Sequence, residues 1–171
     1  RQYNVPCFSS SSLRFCPDLL ELRKNLDNLP LGQIRGCDAY SPCPLGPHHP
    51  DLFWYGVHGV EVLFTVMGTG CKTVTRVRTE GTELVVGVWE DGRVGTFRGI
   101  RDGKGDYGAT VFGSQAIELH GKYTGYRPLV IEAVKFFKTG KPPVPAEETL
   151  EMFAFMEAAE ESKRRGGVPV S

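Results

Sequence analysis

Apolar residues recur at helical spacing in several stretches of the 171-residue chain. In "CPDLLELRKNLDNL", Leu19, Leu22 and Leu26 share a face. Pro17 suits the first turn there, and Asp18 suits the positive end of the helix dipole. From Asp51 to Met67, Phe53, Val57, Val60, Phe64 and Met67 form a core stripe. Asp51 is the expected N-cap after Pro50, and Gly68 and Gly70 end the helix. Beside that stripe run Trp54, His58, Glu61 and Thr65. Two more helices are predicted near the C-terminus. "GYRPLVIEAVKFFKTG" carries Leu129, Ala133, Phe136 and Phe137, and stops at Gly140. "PAEETLEMFAFMEAAEESKRRGG" has acids early and bases late, as the dipole favours.

Other stretches read as strands. "VPCFSSSS" predicts a short one, with Val5, Cys7 or Phe8 inside. "QIRGCDAYS" predicts another with interrupted alternation. "CKTVTRVRT", "TELVVGVWE", "RVGTFRGI" and "DYGATVFGS" follow in succession, and "SQAIELHG" adds a further short strand. "EDG" at Glu90 to Gly92 marks a tight hairpin. Pro42, Pro44, Pro47 and Pro50 make "PCPLGPHHP" a stiff loop, since proline fits neither a helix interior nor a central strand. This order predicts an α+β fold: an open, mostly antiparallel mixed sheet with helices packed on one face. The other, mixed face is left to solvent or a partner.

Composition narrows the function little. Hydrophobic residues make up 40% and charged residues 23%, ordinary for a globular domain. Twenty basic residues balance twenty acidic ones, which argues against an electrostatic nucleic-acid footprint. No apolar run is long enough for a membrane helix, so no membrane partner is expected. The opening "RQYNVPCFSSSS" has neither an initiator Met nor a signal-peptide pattern and reads as the start of a fragment. Cys7, Cys16, Cys37, Cys43 and Cys71 form no C-x-x-C pair. An odd, scattered set favours free thiols and a cytoplasmic setting, or an exported one if a signal preceded Arg1.

Familiar motifs fail on context. "MGTGCKT" follows a helix and enters a strand, the reverse of a phosphate loop. "GKGDYG" lies between strands, and no G-x-G-x-x-G opens a strand–helix unit. Zinc on Cys43, His48 and His49 lacks a second close thiol pair, so no metal is expected. A metal held by His48, His49 and His58 is a remaining option. His58 itself reads in three ways: proton carrier, metal ligand or packed core residue. Its polar and aromatic face favours function, and imidazole titrates near neutrality. Glu61 could orient the ring or raise its pKa, or could pair with a base elsewhere.

Three segments in order carry a resemblance: "SSSSLRFCPDLLELRKNLDNLPLGQI", "DLFWYGVHGVEVLFTVMG" and "GYRPLVIEAVKFFKTGKPPVPAEETLEMFAFMEAAEESKRRGGVPV". Together they resemble the glucose–fructose oxidoreductase, inositol dehydrogenase and rhizopine catabolism (Gfo/Idh/MocA) family. The resemblance implies a two-domain NAD- or NADP-dependent dehydrogenase of sugars, inositols or related polyols. Residues 1–12 would be the last strand of its nucleotide-binding domain. Residues 13–171 would be the C-terminal substrate-binding and oligomerisation domain. The open sheet face would form a homodimer or higher homo-oligomer. Cofactor would belong to the full-length parent; the isolated chain is expected to hold none and to be inactive.

The resemblance matches His58 to the family's active-site histidine. It makes Arg14, His48, His49, Trp54 and Tyr55 candidate substrate contacts. Arg14 could equally be a structural ion pair. One departure stands out: Trp54 replaces the family's Asp, and an indole cannot accept a proton. The competing reading is therefore a non-catalytic ligand-binding or dimerisation domain that has lost activity.

Overall fold

Strand alternation sorts small and apolar side chains to one face of the sheet. A computed structural model describes residues 5–24 and 30–171. Its strands are β1 (Ile34–Pro42), β2 (Cys71–Arg78), β3 (Thr82–Trp89), β4 (Val94–Ile100), β5 (Gly108–Gly113) and β6 (Ile117–His120). They form one sheet in the order β2-β3-β4-β1-β5-β6. β1 runs parallel to β4, with Asp38 opposite Thr96; the other pairings are antiparallel. Helices α1 (Pro17–Lys24), α2 (Asp51–Trp54), α3 (Val57–Met67), α4 (Arg127–Thr139) and α5 (Ala146–Arg164) complete the described elements, with a 3₁₀ turn at Ser12–Phe15. This is the predicted α+β class.

α3 lies on β1 and β4, and α5 lies on β2. Val60, Leu63, Phe64 and Met67 of α3 meet Cys37, Ala39, Val85, Trp89 and Phe97 of the sheet in one buried cluster. Phe64 stands at its centre, 5.6 Å from Trp89 and 5.5 Å from Phe155 of α5 between ring centroids. Gly59 sets how close α3 comes. A Cβ there would sit 2.4 Å from Phe97 and 2.8 Å from the Ser41 hydroxyl. The opposite sheet face is bare: Val77, Val88, Val94, Ile117 and Leu119 are exposed.

Three predicted elements differ. The helix expected from Asp51 to Met67 is interrupted at Tyr55–Gly56. A Cβ at Gly56 would meet Cys43 Sγ and the Leu52 carbonyl, each at 3.0 Å, so the chain turns tightly against β1 there. Asp51 is not the N-cap; Pro50 holds that position. The Asp51 carboxylate instead takes Arg76, Arg101 and Lys163. The strand expected at "VPCFSSSS" pairs with nothing among the described residues, and the end of that segment bonds to side chains of α3. Leu26 lies outside the described residues. α4 also stands apart, with no buried residue; its Phe136 meets Phe8 edge-on at 5.1 Å.

A buried ion cluster ties α2 to the sheet and α5. Arg76 is 1% exposed and donates to Glu83 at 2.7 Å, to Asp51 at 2.8 Å and to Glu160. Arg101 approaches Glu83 to 2.8 Å, although their hydrogen-bond geometry is poor and Glu83 Oε1 and Arg101 Nε stay unsatisfied. Burial alone would raise the Asp51 carboxyl. Hydrogen bonds from Lys163 and Arg76, with the charges of Arg76 and Arg101, outweigh burial and hold it at about 2.

Two outcomes follow from this packing. Gly59→Ala should destabilise the fold by about 1–3 kcal/mol, as overpacking does, because α3 must lift off Phe97. An unchanged thermal midpoint would refute that close approach. For Asp51, the folded pKa lies below the unfolded one, so its contribution is complete above about pH 4. It is lost as the pH falls through about 2. Asp51→Asn should flatten that limb of the acid-unfolding curve; an unaltered slope would contradict the assignment.

Candidate functional site

The site assembles where the segment before α1 crosses the start of α3. Glu61 is one turn into α3, and its carboxylate is buried at 3% exposure. Ser10 Oγ donates to it at 2.9 Å, the Ser11 amide at 3.2 Å, and Arg14 Nε also donates. Arg14 is itself 3% exposed and donates to Glu148 of α5 at 2.6 Å, which Arg23 also reaches at 3.0 Å. Burial would raise the Glu148 carboxyl, but hydrogen bonds from Arg23 and Arg14 and the Arg14 charge win and hold it below its usual range.

His58 sits one turn before Glu61. Its Nδ1 shares a 2.9 Å hydrogen bond with Ser11 Oγ, which also accepts from the Leu13 amide at 3.2 Å. Burial pushes the imidazole below its usual pKa, and the nearby Glu61 charge only partly opposes this. A largely neutral ring therefore serves at neutral pH. Nε2 has no hydrogen-bond partner among the described residues and is not among the sealed, unpaired atoms.

The ring borders a cleft of about 110 Å³ lined by Ser12, Leu13, Tyr55, His58, Tyr107, Tyr123 and Tyr126. Tyr55 meets His58 edge-on at 5.0 Å. The Tyr107 hydroxyl donates to that of Tyr55 at 3.1 Å, and burial with this bond raises the Tyr107 pKa. Tyr123 packs 5.8 Å from Tyr107 and 6.1 Å from Tyr126. The cleft is thus hydroxyl-rich and holds no charged side chain among its lining residues. Such a lining can hydrogen-bond a neutral polar ligand and cover its C–H surface.

Of the residues singled out in the sequence, His58 and Tyr55 meet at this cleft. Arg14 does not line it; its guanidinium is spent on Glu61 and Glu148, the structural alternative for that residue. His48, His49 and Trp54 lie on the proline-rich loop side. His49 stacks on Trp54 at 4.3 Å, and neither lines the cleft. The interruption at Tyr55–Gly56 explains this, because a four-residue offset shares a face only on a continuous helix. Glu61 pairs with a base elsewhere and does not bond the His58 ring. No group of three or more His, Cys, Asp or Glu among the described residues is arranged to hold a metal. Tyr107, Tyr123 and Tyr126 were missed. They come from the segment before β5 and the loop before α4, and local periodicity carries no trace of their meeting.

No family profile matches the chain, and no curated protein does. Solved structures do. Myo-inositol 2-dehydrogenase from Lactobacillus plantarum matches with a TM-score of 0.77 at 14% identity, over 96% of this chain and 64% of its own. Scyllo-inositol dehydrogenase from Lactobacillus casei, solved with NAD(H) and scyllo-inositol, matches at 0.72 and 13% identity, over 95% and 64%. An oxidoreductase from Agrobacterium radiobacter, in complex with NAD+, L-tartaric acid and magnesium, matches at 0.74 and 12% identity, over 99% and 66%. The chain spans less than two thirds of the length of these proteins. Over nearly its whole length it has a fold found within these inositol dehydrogenases.

The buried pair makes a prediction. Glu61→Gln leaves Arg14 with one uncompensated contact in the interior. It should cost about 3–5 kcal/mol in denaturant unfolding. It should also move the His58 titration further down, since the raising charge is gone. A loss under about 1 kcal/mol would place the pair with ordinary surface bridges.

Proposed function

We propose that the chain is the substrate-binding domain of an NAD- or NADP-dependent oxidoreductase acting on a sugar, inositol or related polyol. One observation carries this reading: on the inositol-dehydrogenase fold, the free Nε2 edge of His58 borders a tyrosine-walled cleft while Nδ1 is tied down. The ligand lies in that cleft, with Tyr55, Tyr107, Tyr123 and Tyr126 against its hydroxyls and C–H face. A bound nicotinamide would supply or accept hydride at the carbon whose oxygen His58 holds.

Residues 13–171 form this domain, and the segment before them belongs to a nucleotide-binding domain that carries the cofactor. The exposed Val130, Ile131, Val134 and Phe137 of α4 favour coverage by a further unit. The bare sheet face, with Val88, Val94 and Leu119 exposed, favours a homodimer. His48, His49 and Trp54 border the domain at the loop rather than the reacting oxygen. Arg14 acts through Glu61, fixing the segment that holds Ser11.

The test uses scyllo-inositol titrated into the purified chain while the His58 and tyrosine NMR signals are followed. Saturable shifts at His58 and Tyr55 are expected, and His58→Ala should weaken binding tenfold or more. In the complete enzyme with cofactor, the same substitution should lower kcat by about 10²–10⁴-fold, the usual worth of an acid–base group. Unmoved signals across a panel of neutral polyols and sugars, or full kcat in His58→Ala, would sink the assignment.

A further inference from the structure

The hydroxyl of Ser11 has two jobs, and together they decide where the His58 proton sits. Ser11 is buried, and its Oγ already accepts from the Leu13 amide. A hydroxyl owns one proton, which needs an acceptor. The neighbouring acceptors serve other donors: Glu61 receives the Ser11 amide and Arg14, the one Ser10 proton is divided between Glu61 and the Ser11 carbonyl, and the Ser11 hydroxyl bonds to neither. The acceptor left within reach among the described residues is His58 Nδ1, at 2.9 Å. If Nδ1 carried the proton instead, it would donate to Ser11, and the buried Ser11 proton would have no partner.

We propose that Ser11 is a positioning residue that donates to Nδ1 and holds neutral His58 in the tautomer with its proton on Nε2, so that the cleft is built to grip a carbonyl oxygen. Nδ1 is then the ring's acceptor, and Nε2–H is a donor at the cleft edge. With Tyr107 donating to its oxygen, the Tyr55 hydroxyl has no acceptor of its own among the described residues and can add a second donor. A ketone oxygen accepts both. An alcohol must turn its proton away from both. A carboxylate bonded to Nδ1–H would enforce the opposite tautomer and leave Nε2 as a base. A serine already loaded as an acceptor does the reverse. The carbonyl part rests on the reading that this cleft is the ligand site; the tautomer part does not. The ligand class is therefore the keto form of a neutral polyol.

Nitrogen NMR of the imidazole-labelled chain at neutral pH reads the tautomer directly. A protonated Nε2 and a bare Nδ1 are expected. Ser11→Thr, which keeps the hydroxyl, should preserve that pattern, and Ser11→Ala should mix the two forms. A wild-type ring protonated on Nδ1, or an unchanged ring in Ser11→Ala, would overturn the tautomer claim; the wild-type result stands even if Ser11→Ala fails to fold. The second arm compares scyllo-inositol with the ketone made by oxidising one of its carbinols. The ketone should bind at least tenfold tighter, and Ser11→Ala should narrow that gap. Equal or reversed affinities would overturn the carbonyl claim. Binding of neither would remove it together with the site reading, and would leave the nitrogen result standing.

Discussion

Removing a carboxylate from water is costly unless charge and hydrogen bonds replace the lost hydration. The Glu61 carboxylate meets that demand with Arg14, the Ser10 hydroxyl and the Ser11 amide. None of these groups lies on its own helix. The interior demand of one side chain on α3 therefore fastens the whole segment from Ser10 to Arg14 across that helix. Glu148 extends the fastening to α5 by holding the far side of the Arg14 guanidinium. The placement of Ser11 beside His58 is a by-product of this arrangement: its amide is anchored by Glu61 and its hydroxyl is left to reach the ring.

The chain thus separates its charges from its cleft. One cluster joins Arg76 of β2 to Asp51 at the start of α2, and another joins Arg14 to Glu61 near the start of α3. Each pairs its charges internally, the Arg76 cluster leaving Glu83 Oε1 and Arg101 Nε without a hydrogen bond. The cleft walls instead present phenols and an imidazole, groups that offer directional hydrogen bonds with little net field. An anionic ligand would find no free cation among the lining residues, and tyrosine faces would repel it.

Much of this was legible in the sequence, for reasons that differ by element. Val60, Phe64 and Met67 announce their burial because helical burial is periodic, and His58 stands out with Glu61 as the two titratable groups on a mostly apolar helix. The strands from Cys71 onward alternate, and an Asp-Gly turn marks the hairpin that Gly92 closes to Trp89 at 3.0 Å. The interruption at Tyr55–Gly56 was hidden because Phe53 and Val57 stay in register with the stripe through it. Its cause is a tight approach to Cys43, a tertiary matter. The partner of Glu61 was hidden too, since Arg14 is remote along the chain. The tyrosines of the cleft meet only after the strands around them have paired, so nothing in their spacing could reveal them.

The position of β1 has a bearing on how the chain is made. It forms the middle of the sheet, yet both its neighbours, β4 and β5, are translated long after it. During synthesis β1 leaves the ribosome with both edges unclaimed, carrying Cys37 and Ala39 as its future interior face. It must stay soluble until Val94–Ile100 arrives to pair with it in parallel. The prolines that follow it blunt its C-terminal end in the meantime, because they can donate to no passing strand. Closure of the sheet is accordingly a late event, slow by virtue of its long-range contacts, and the nascent chain is most exposed to aggregation just before it happens.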